Sequence, residues 1–427
     1  MLPVPVLRVG AVALVLAYFL QAPPRACATS PSLLPGMPPE VRSLREETLS
    51  PEQYRDLVRS WRAYLEDHPT SAVAHVMLSR AMRYAHDGTV DTRSGLLRKA
   101  YELDLACPEA LEGLSGVALG EGDLGRDEAR TLAERAVELA PTWPRPHFTL
   151  WSLAMTDGDE KAAAPHARAL IDKGALPAPL LDFAHNLLVS ADANAIVFTN
   201  GDNDTYPPAA LQTKHGTRPD VRIANLSMLN LLDYAILVLG DGPLTEKEIR
   251  TIHAGWNDRY RETGQLFSAQ LLGEVLKKVR TGQSRRPVYL AVTVAPGTMQ
   301  HVEQKLRLEG LLWRVRPERN GHDSHEEPDL DFEKTLRLFR RDFRLDSATD
   351  LGFPWEQRSS IRMLMTNYPA LLRCVGTGAA QRGDLESFRS AMDRAIRIVK
   401  FHGDENLLET LCDYRDEIDP GRAGAGD

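Results

Sequence analysis

The sequence predicts an α/β domain built on a parallel sheet with helical stretches on either side of it, and three observations predict it. A short helical pattern recurs early in the chain, between residues 50 and 175. From residue 190 to about 318, apolar runs rich in β-preferring residues alternate with helix-forming segments, as βαβ units do. After residue 330 the apolar residues return to helical spacing.

Composition bounds the function classes. The chain has 427 residues, 43% hydrophobic and 26% charged, which suits a soluble globular protein with more than one core. A net charge of −8 and a pI near 5.9 exclude a general nucleic-acid binder, because neutralising phosphates takes a positive excess.

Residues 1–28 read as a signal peptide. Leu7 to Ala22 is apolar apart from Arg8 and Gln21, and Ala26-Cys27-Ala28 is a cleavage triplet of the A-x-A kind. The expected location is therefore exported, periplasmic or extracellular. Left uncleaved, the same segment would associate the chain with a membrane; no other stretch approaches transmembrane length. Of the remaining cysteines, Cys374 and Cys412 fit a bridge in an oxidising compartment as readily as they fit buried free thiols, and Cys107 has no further partner. Residues 29–49 carry Pro31, Pro35, Pro38 and Pro39 and read as a linker.

Ser50-Pro51-Glu52 starts a helix, with serine as cap and proline at the first helical position. Across residues 50–189, Ala63-Tyr64-Leu65-Glu66-Asp67-His68-Pro69 is echoed by Ala100-Tyr101-Glu102-Leu103-Asp104 and by Ala136-Val137-Glu138-Leu139-Ala140-Pro141. The offsets, 100 − 63 = 37 and 136 − 100 = 36, lie close to the period of about 34 in tetratricopeptide repeats. Alanines let paired helices approach, and prolines close one helix before the next begins. Such arrays bind a protein partner through an open groove; packing on the next domain is the competing use. Trp143, His147, Phe148 and Trp151 sit at helical spacing with Leu150 and Leu153 and read as packing between repeats.

Residues 190–330 form the α/β domain, read as Rossmann-like and parallel. Its strands are Ala195–Thr199, Val221–Leu226, Pro287–Val294 and Leu311–Val315, and its helices lie near Pro208–His215, Thr245–Ile252, Gln265–Thr281 and Gly297–Leu308. The polar stretch from Asn320 through His322 and His325 to Glu327 is a solvated loop or a metal-binding one. Residues 331–420 are helical, with Gly383-Asp384 dividing two helices, and 421–427 are a frayed tail.

Where the first strand breaks, Asn200-Gly201-Asp202-Asn203-Asp204-Thr205 forms a loop at a strand's carboxyl end, where open α/β sheets hold ligands. Asp202 and Asp204, one residue apart, are candidate oxygen ligands for Ca²⁺, Mg²⁺ or Mn²⁺. The competing use is structural: Asp and Asn cap helices and fold loops through their own backbone. Asn225, Ser227 and Asn230 close the next strand, and parallel pairing would bring them beside the first loop. The sequence holds no nucleophile elbow, Gly-rich phosphate loop or H-E-x-x-H helix.

Phe198 to Pro207, Gly216-Thr217-Arg218-Pro219-Asp220-Val221-Arg222, Asn225 to Asn230, Pro287 to Val294, Leu308 to Leu311 and Asn367-Tyr368 together resemble the extracytoplasmic C-terminal region of multi-spanning membrane proteins related to protein O-mannosyltransferases. The resemblance covers roughly residues 190–400. It places glycosyl transfer in the membrane-embedded part of that family, so it implies here a detached soluble domain that binds glycan, acceptor protein or a partner. Two functions stay open. One is an exported noncatalytic binding or scaffold module, accessory to protein glycosylation or envelope assembly. The other is a metal-dependent enzyme acting on sugar or phosphate substrates, with Asp202 and Asp204 as ligands and Glu309 as acid/base.

Overall fold

A computed structural model describes residues 36–120, 125–295, 306–317 and 329–420. The leader, the first residues of the 29–49 stretch, the loop of His322 and His325 and the 421–427 tail lie outside the described residues. The described chain forms two compact units that part at Pro177, with Pro354–Ile361 returning to the first. Among the described residues no helix is long and apolar enough to cross a membrane.

The first unit is a helical-repeat array of α1 (Pro51–Asp67), α2 (Ala72–Tyr84), α3 (Val90–Leu103), α4 (Pro108–Leu119), α5 (Arg126–Leu139), α6 (Pro146–Thr156) and α7 (Glu160–Asp172). Ser50 and Gln53 close the capping box of α1, with Pro51 in the first turn. Each helix packs on the next, and α2, α4 and α6 also stack on one another. These three begin at 72, 108 and 146, so the sequence offsets reappear as 108 − 72 = 36 and 146 − 108 = 38. The alanine reading holds as well. Ala74, Ala81, Ala100, Ala110, Ala129, Ala133 and Ala136 are fully buried between helices, where a longer side chain would push the pair apart.

Residues 36–49 are not a free linker. Val41, Arg42, Ser43 and Glu47 are buried, and Val41 joins the cluster of Tyr54, Leu57, Trp61, Met77 and Leu78. Prolines forbid a continuous helix here but not the packing of a chain that turns at Leu44–Glu46.

The second unit begins with α8 (Ala178–Ser190), so the break falls before this helix rather than after residue 189. Asn186 explains the allegiance: its amide donates to Arg344 O at 2.7 Å and to the Tyr368 hydroxyl at 2.8 Å, and its oxygen accepts from Arg344 N. There follow β1 (Ile196–Thr199), α9 (Tyr206–His215), β2 (Arg222–Asn225), α10 (Leu232–Leu239), α11 (Glu246–Ala254), α12 (Trp256–Thr263), α13 (Phe267–Arg280), β3 (Val288–Ala291), β4 (Leu306–Glu309), β5 (Leu312–Val315), β6 (Asp329–Leu330) and α14 (Phe332–Arg337). Helices α15 (Asn367–Gln381), α16 (Leu385–His402) and α17 (Glu405–Ile418) complete the unit. Within the helical stretch expected over residues 331–420, the helix Ser359–Met365 stops before α15, where Pro369 has no N–H to offer Met365 O. Cys107, Cys374 and Cys412 are all unbridged.

The sheet order is β2-β1-β3-β5-β4-β6. Strands β2, β1 and β3 are parallel, as expected, but β5 runs antiparallel to both β3 and β4. The sheet is therefore mixed, and the Rossmann-like parallel expectation fits only its first half. The reversal occurs at Gly310, which sits at φ +62° between β4 and β5 and whose absent Cβ would lie 2.3 Å from Ser190 Oγ. The helix expected over Gly297–Leu308 ends instead as β4; its earlier residues lie outside those described.

Candidate functional site

The loop after β1 is organised by Asp204. Its Oδ2 accepts from Asn200 N and its Oδ1 from Gly201 N, each at 2.8 Å, and the Thr293 hydroxyl beyond β3 also donates to Oδ2. Only 3% of Asp204 is exposed. Burial pushes its carboxyl pKa up, against the pull of Thr293 and of the Asn200 and Gly201 amides. The carboxylate folds its own loop by satisfying the amides that open the short 3-10 turn Asp202–Asp204, while α9 behind it has no side-chain cap.

Thr205 carries the loop onto the sheet. Its hydroxyl donates to Gly201 O at 2.6 Å and meets the Thr199 hydroxyl at 2.8 Å. Asn225 Nδ2 donates to the same Thr205 oxygen at 2.9 Å. Thr199 and Asn225 are register partners in parallel β1 and β2, so the two strand ends do converge as expected. Asn225 Oδ1 then accepts from Ser227 N and Met228 N, at 2.9 and 3.0 Å, folding the second loop. Asn230 reaches further: its Oδ1 accepts from Ser268 N at 3.0 Å, supplying the cap that α13 lacks of its own.

Of the predicted ligand residues, the structure thus gathers Gly201, Asp204, Thr205 and Asn225 into one network, with Asn200 contributing its backbone. Asp202, Asn200 and Ser227 are exposed, and Asn203 and Asn230 half-exposed. As a metal pair, Asp202 and Asp204 stand differently: the first faces solvent, while both oxygens of the second are engaged by the loop itself. Among the described residues no group of three His, Cys, Asp or Glu side chains is arranged to hold an ion. Sequence reading missed Thr293, Tyr234 and Ser268. Tyr234 receives Asn225 N at 2.9 Å from α10, a helix without a sequence signal of its own. Thr293 was legible in principle, since it lies two residues beyond the strand that pairs with β1.

Glu309 lies in a second cluster on the β3–β5–β4 side of the sheet. It is 1% exposed, and its Oε2 accepts from Lys334 Nζ at 2.6 Å and from the Tyr289 hydroxyl at 2.9 Å. Lys334 and Arg314 also reach Asp192, at 2.8 and 2.7 Å, and Arg314 approaches Glu309 Oε1 at 3.5 Å. Two acids and two bases balance. Burial and then Glu309 raise the Tyr289 pKa far above its usual value. Burial acts to raise Asp192, but the hydrogen bond and charge of Lys334, with Arg314, bring it below the usual carboxylate range.

The Arg218-Pro219-Asp220 motif is a staple. Arg218 donates from Nε and a terminal nitrogen to the two Asp220 oxygens at 2.9 Å, and to the carbonyls of Leu188, Ala191 and Asp192 at 2.8–3.1 Å. It ties the end of α8 to the approach of β2, and its hydrogen bonds, helped by the Asn194 amide and the Arg218 charge, hold the Asp220 carboxyl far below its usual range.

A family profile described as TMEM260-associated domain 2 matches residues 180–236, a stretch that holds α8, β1, the Asp204 loop, α9, the Arg218 staple and β2. Among solved structures, one described as Naa15/Naa10 bound to HypK-THB aligns at 13% identity with a TM-score of 0.24, over 86% of this chain. This chain spans 61% of the length of that one. No curated protein matches the sequence.

Proposed function

We propose that this protein is an exported, noncatalytic binding module in which a helical-repeat array accompanies an α/β unit, serving protein glycosylation or envelope assembly. The observation that carries the noncatalytic reading is Asp204. Both of its oxygens fold the loop, so the motif acts as an organiser that presents backbone and the exposed Asp202. The profile match supports the setting, because it covers Phe198–Pro207, Gly216–Arg222 and Asn225–Asn230, the first of the motifs that resemble proteins related to O-mannosyltransferases. The stacked α2, α4 and α6 support a protein partner for the repeats, and the apolar Leu7–Ala22 leader supports export.

Thermal unfolding with Ca²⁺, Mg²⁺, Mn²⁺, sugar nucleotides and glycans tests the reading, because a native-state ligand must raise the midpoint. Asp204→Ala is expected to lower the midpoint without any ligand, Asp202→Ala to leave it unchanged while removing any ligand-induced shift, and no sugar nucleotide to be consumed. Turnover that both substitutions abolish at unchanged stability would establish the metal-dependent enzyme instead.

A further inference from the structure

The face formed by α2, α4 and α6 is already covered. Residues 36–49 run along the repeat unit without helix up to Ser43, turn over Leu44–Glu46 where Glu46 N and Glu47 N both donate to Ser43 O, and meet α1, α2 and α6 on the way. Trp61 of α1 donates to Pro39 O at 3.0 Å, and Arg80 of α2 to Val41 O at 2.9 Å. The Arg45 guanidinium lies 4.0 Å from the centre of the Phe148 ring of α6. Glu112 of α4 sits between Arg80 and Arg145, at 3.8 and 3.7 Å; burial would raise its pKa, but Arg145 and Arg80, with Arg45 and Arg83, hold it low. Glu46 is lowered in turn by Arg358, with Arg145 contributing.

A second segment closes over the outside. Arg358 pairs with Glu46, Thr48 N donates to Ser359 Oγ at 2.9 Å, and the Ser360 hydroxyl donates to Leu44 O at 2.7 Å. The strap is thus held by an aliphatic anchor, carbonyls offered to Trp61 and Arg80, and an Arg-Glu pair aimed at Phe148 and Arg145. These are the means by which a groove takes a peptide in trans, used here on the chain itself.

We infer that the α2–α4–α6 face is a peptide groove filled in cis by residues 36–49, with Arg358 to Ser360 as its latch. The partner it accepts is a segment carrying an aliphatic residue and, four and five positions on in a turn, a basic and an acidic one. Such a partner competes with the strap. This rests on reading the repeats as a binding array, yet it is read out by peptide binding alone, so sugar-ligand results neither rescue nor sink it.

The test titrates a fluorescent peptide of residues 36–49 into the full chain and follows anisotropy. Wild-type protein, its groove occupied, is expected to bind at least about tenfold more weakly than Arg358→Ala, whose latch is open. Adding Arg80→Ala should return affinity to the wild-type level or below, and a peptide carrying Val41→Asp should fail on every variant. Circular dichroism checks folding, and Ser360→Ala replaces Arg358→Ala if the latter is not folded. Absence of binding to folded, unlatched protein at millimolar peptide overturns the inference, as does binding indifferent to Val41→Asp in the peptide.

Discussion

Two buried carboxylates in the second unit are satisfied by opposite means. Asp204 sits among neutral donors, two backbone amides and a hydroxyl, all close to it in the loop or at the neighbouring strand end. Glu309 sits among full charges and a phenol brought from β3, β5 and α14. The first arrangement shapes one loop; the second ties a sheet to the helix that covers it. A carboxylate held by amides can be removed at the expense of local structure, whereas one held by cations leaves unpaired charge behind.

The largest expected effect therefore falls on the charged cluster. Glu309→Ala leaves the Tyr289 hydroxyl without its acceptor and Lys334 with Asp192 as its remaining carboxylate, and should cost about 4 kcal/mol of unfolding free energy in urea titrations. Glu309→Met with Lys334→Met removes both charges of the closest pair, and the double variant should lose less than the sum of the two single changes by about 1–3 kcal/mol. Additive losses would show that the pair is an accessory of the packing and would erase the contrast with Asp204.

Next comes the loop. Asp204→Ala leaves the Asn200 and Gly201 amides and the Thr293 hydroxyl without their acceptor, an expected loss of about 3 kcal/mol. Asp204→Asn keeps one acceptor oxygen and should lose about half as much. Hydrogen exchange sharpens the point: the Asn200 and Gly201 amides should exchange faster in both variants, while amides of β4 and β5 stay protected. Loss of protection across the whole sheet would mean that the loop is part of the core rather than an edge built on it.

This contrast also explains what was legible in the sequence. The Asp204 loop is contiguous, so strand, loop and helix could be read from neighbouring residues, and Thr199 and Asn225 were brought together by parallel pairing alone. Whether its polar groups face a ligand or one another depends on where each oxygen points, which no spacing encodes. The cluster of Asp192, Tyr289, Glu309, Arg314 and Lys334 is scattered over the chain, and only the antiparallel turn at Gly310 brings Glu309 and Arg314 onto one face. That turn was hidden because the apolar spacing of residues 306–308 fits a helix end as well as a strand. The repeats were legible in period, but the strap was not: proline content reports the absence of regular structure and is silent on burial.

The smallest effect separates the two regions by sign. Asp204 is raised by burial, so the folded state takes up a proton more readily than the unfolded chain, whose aspartates titrate near about 3.9. The stability this supplies is complete below about pH 3.9 and is lost as pH rises through the raised folded value. Asp192 is lowered by Lys334 and Arg314, so its contribution is present above about pH 3.9 and is lost as pH falls through the lowered folded value. Its side chain is 35% exposed, and solvent screening keeps that contribution below about 1 kcal/mol. Urea unfolding of wild type, Asp204→Asn and Asp192→Asn between about pH 3.5 and 7 should therefore show two opposite slopes. The cost of Asp204→Asn should grow on acidification, and that of Asp192→Asn should shrink. Parallel slopes would mean that the loop carboxylate is governed by charge after all, and the distinction between an organising loop and a charged clamp would fail.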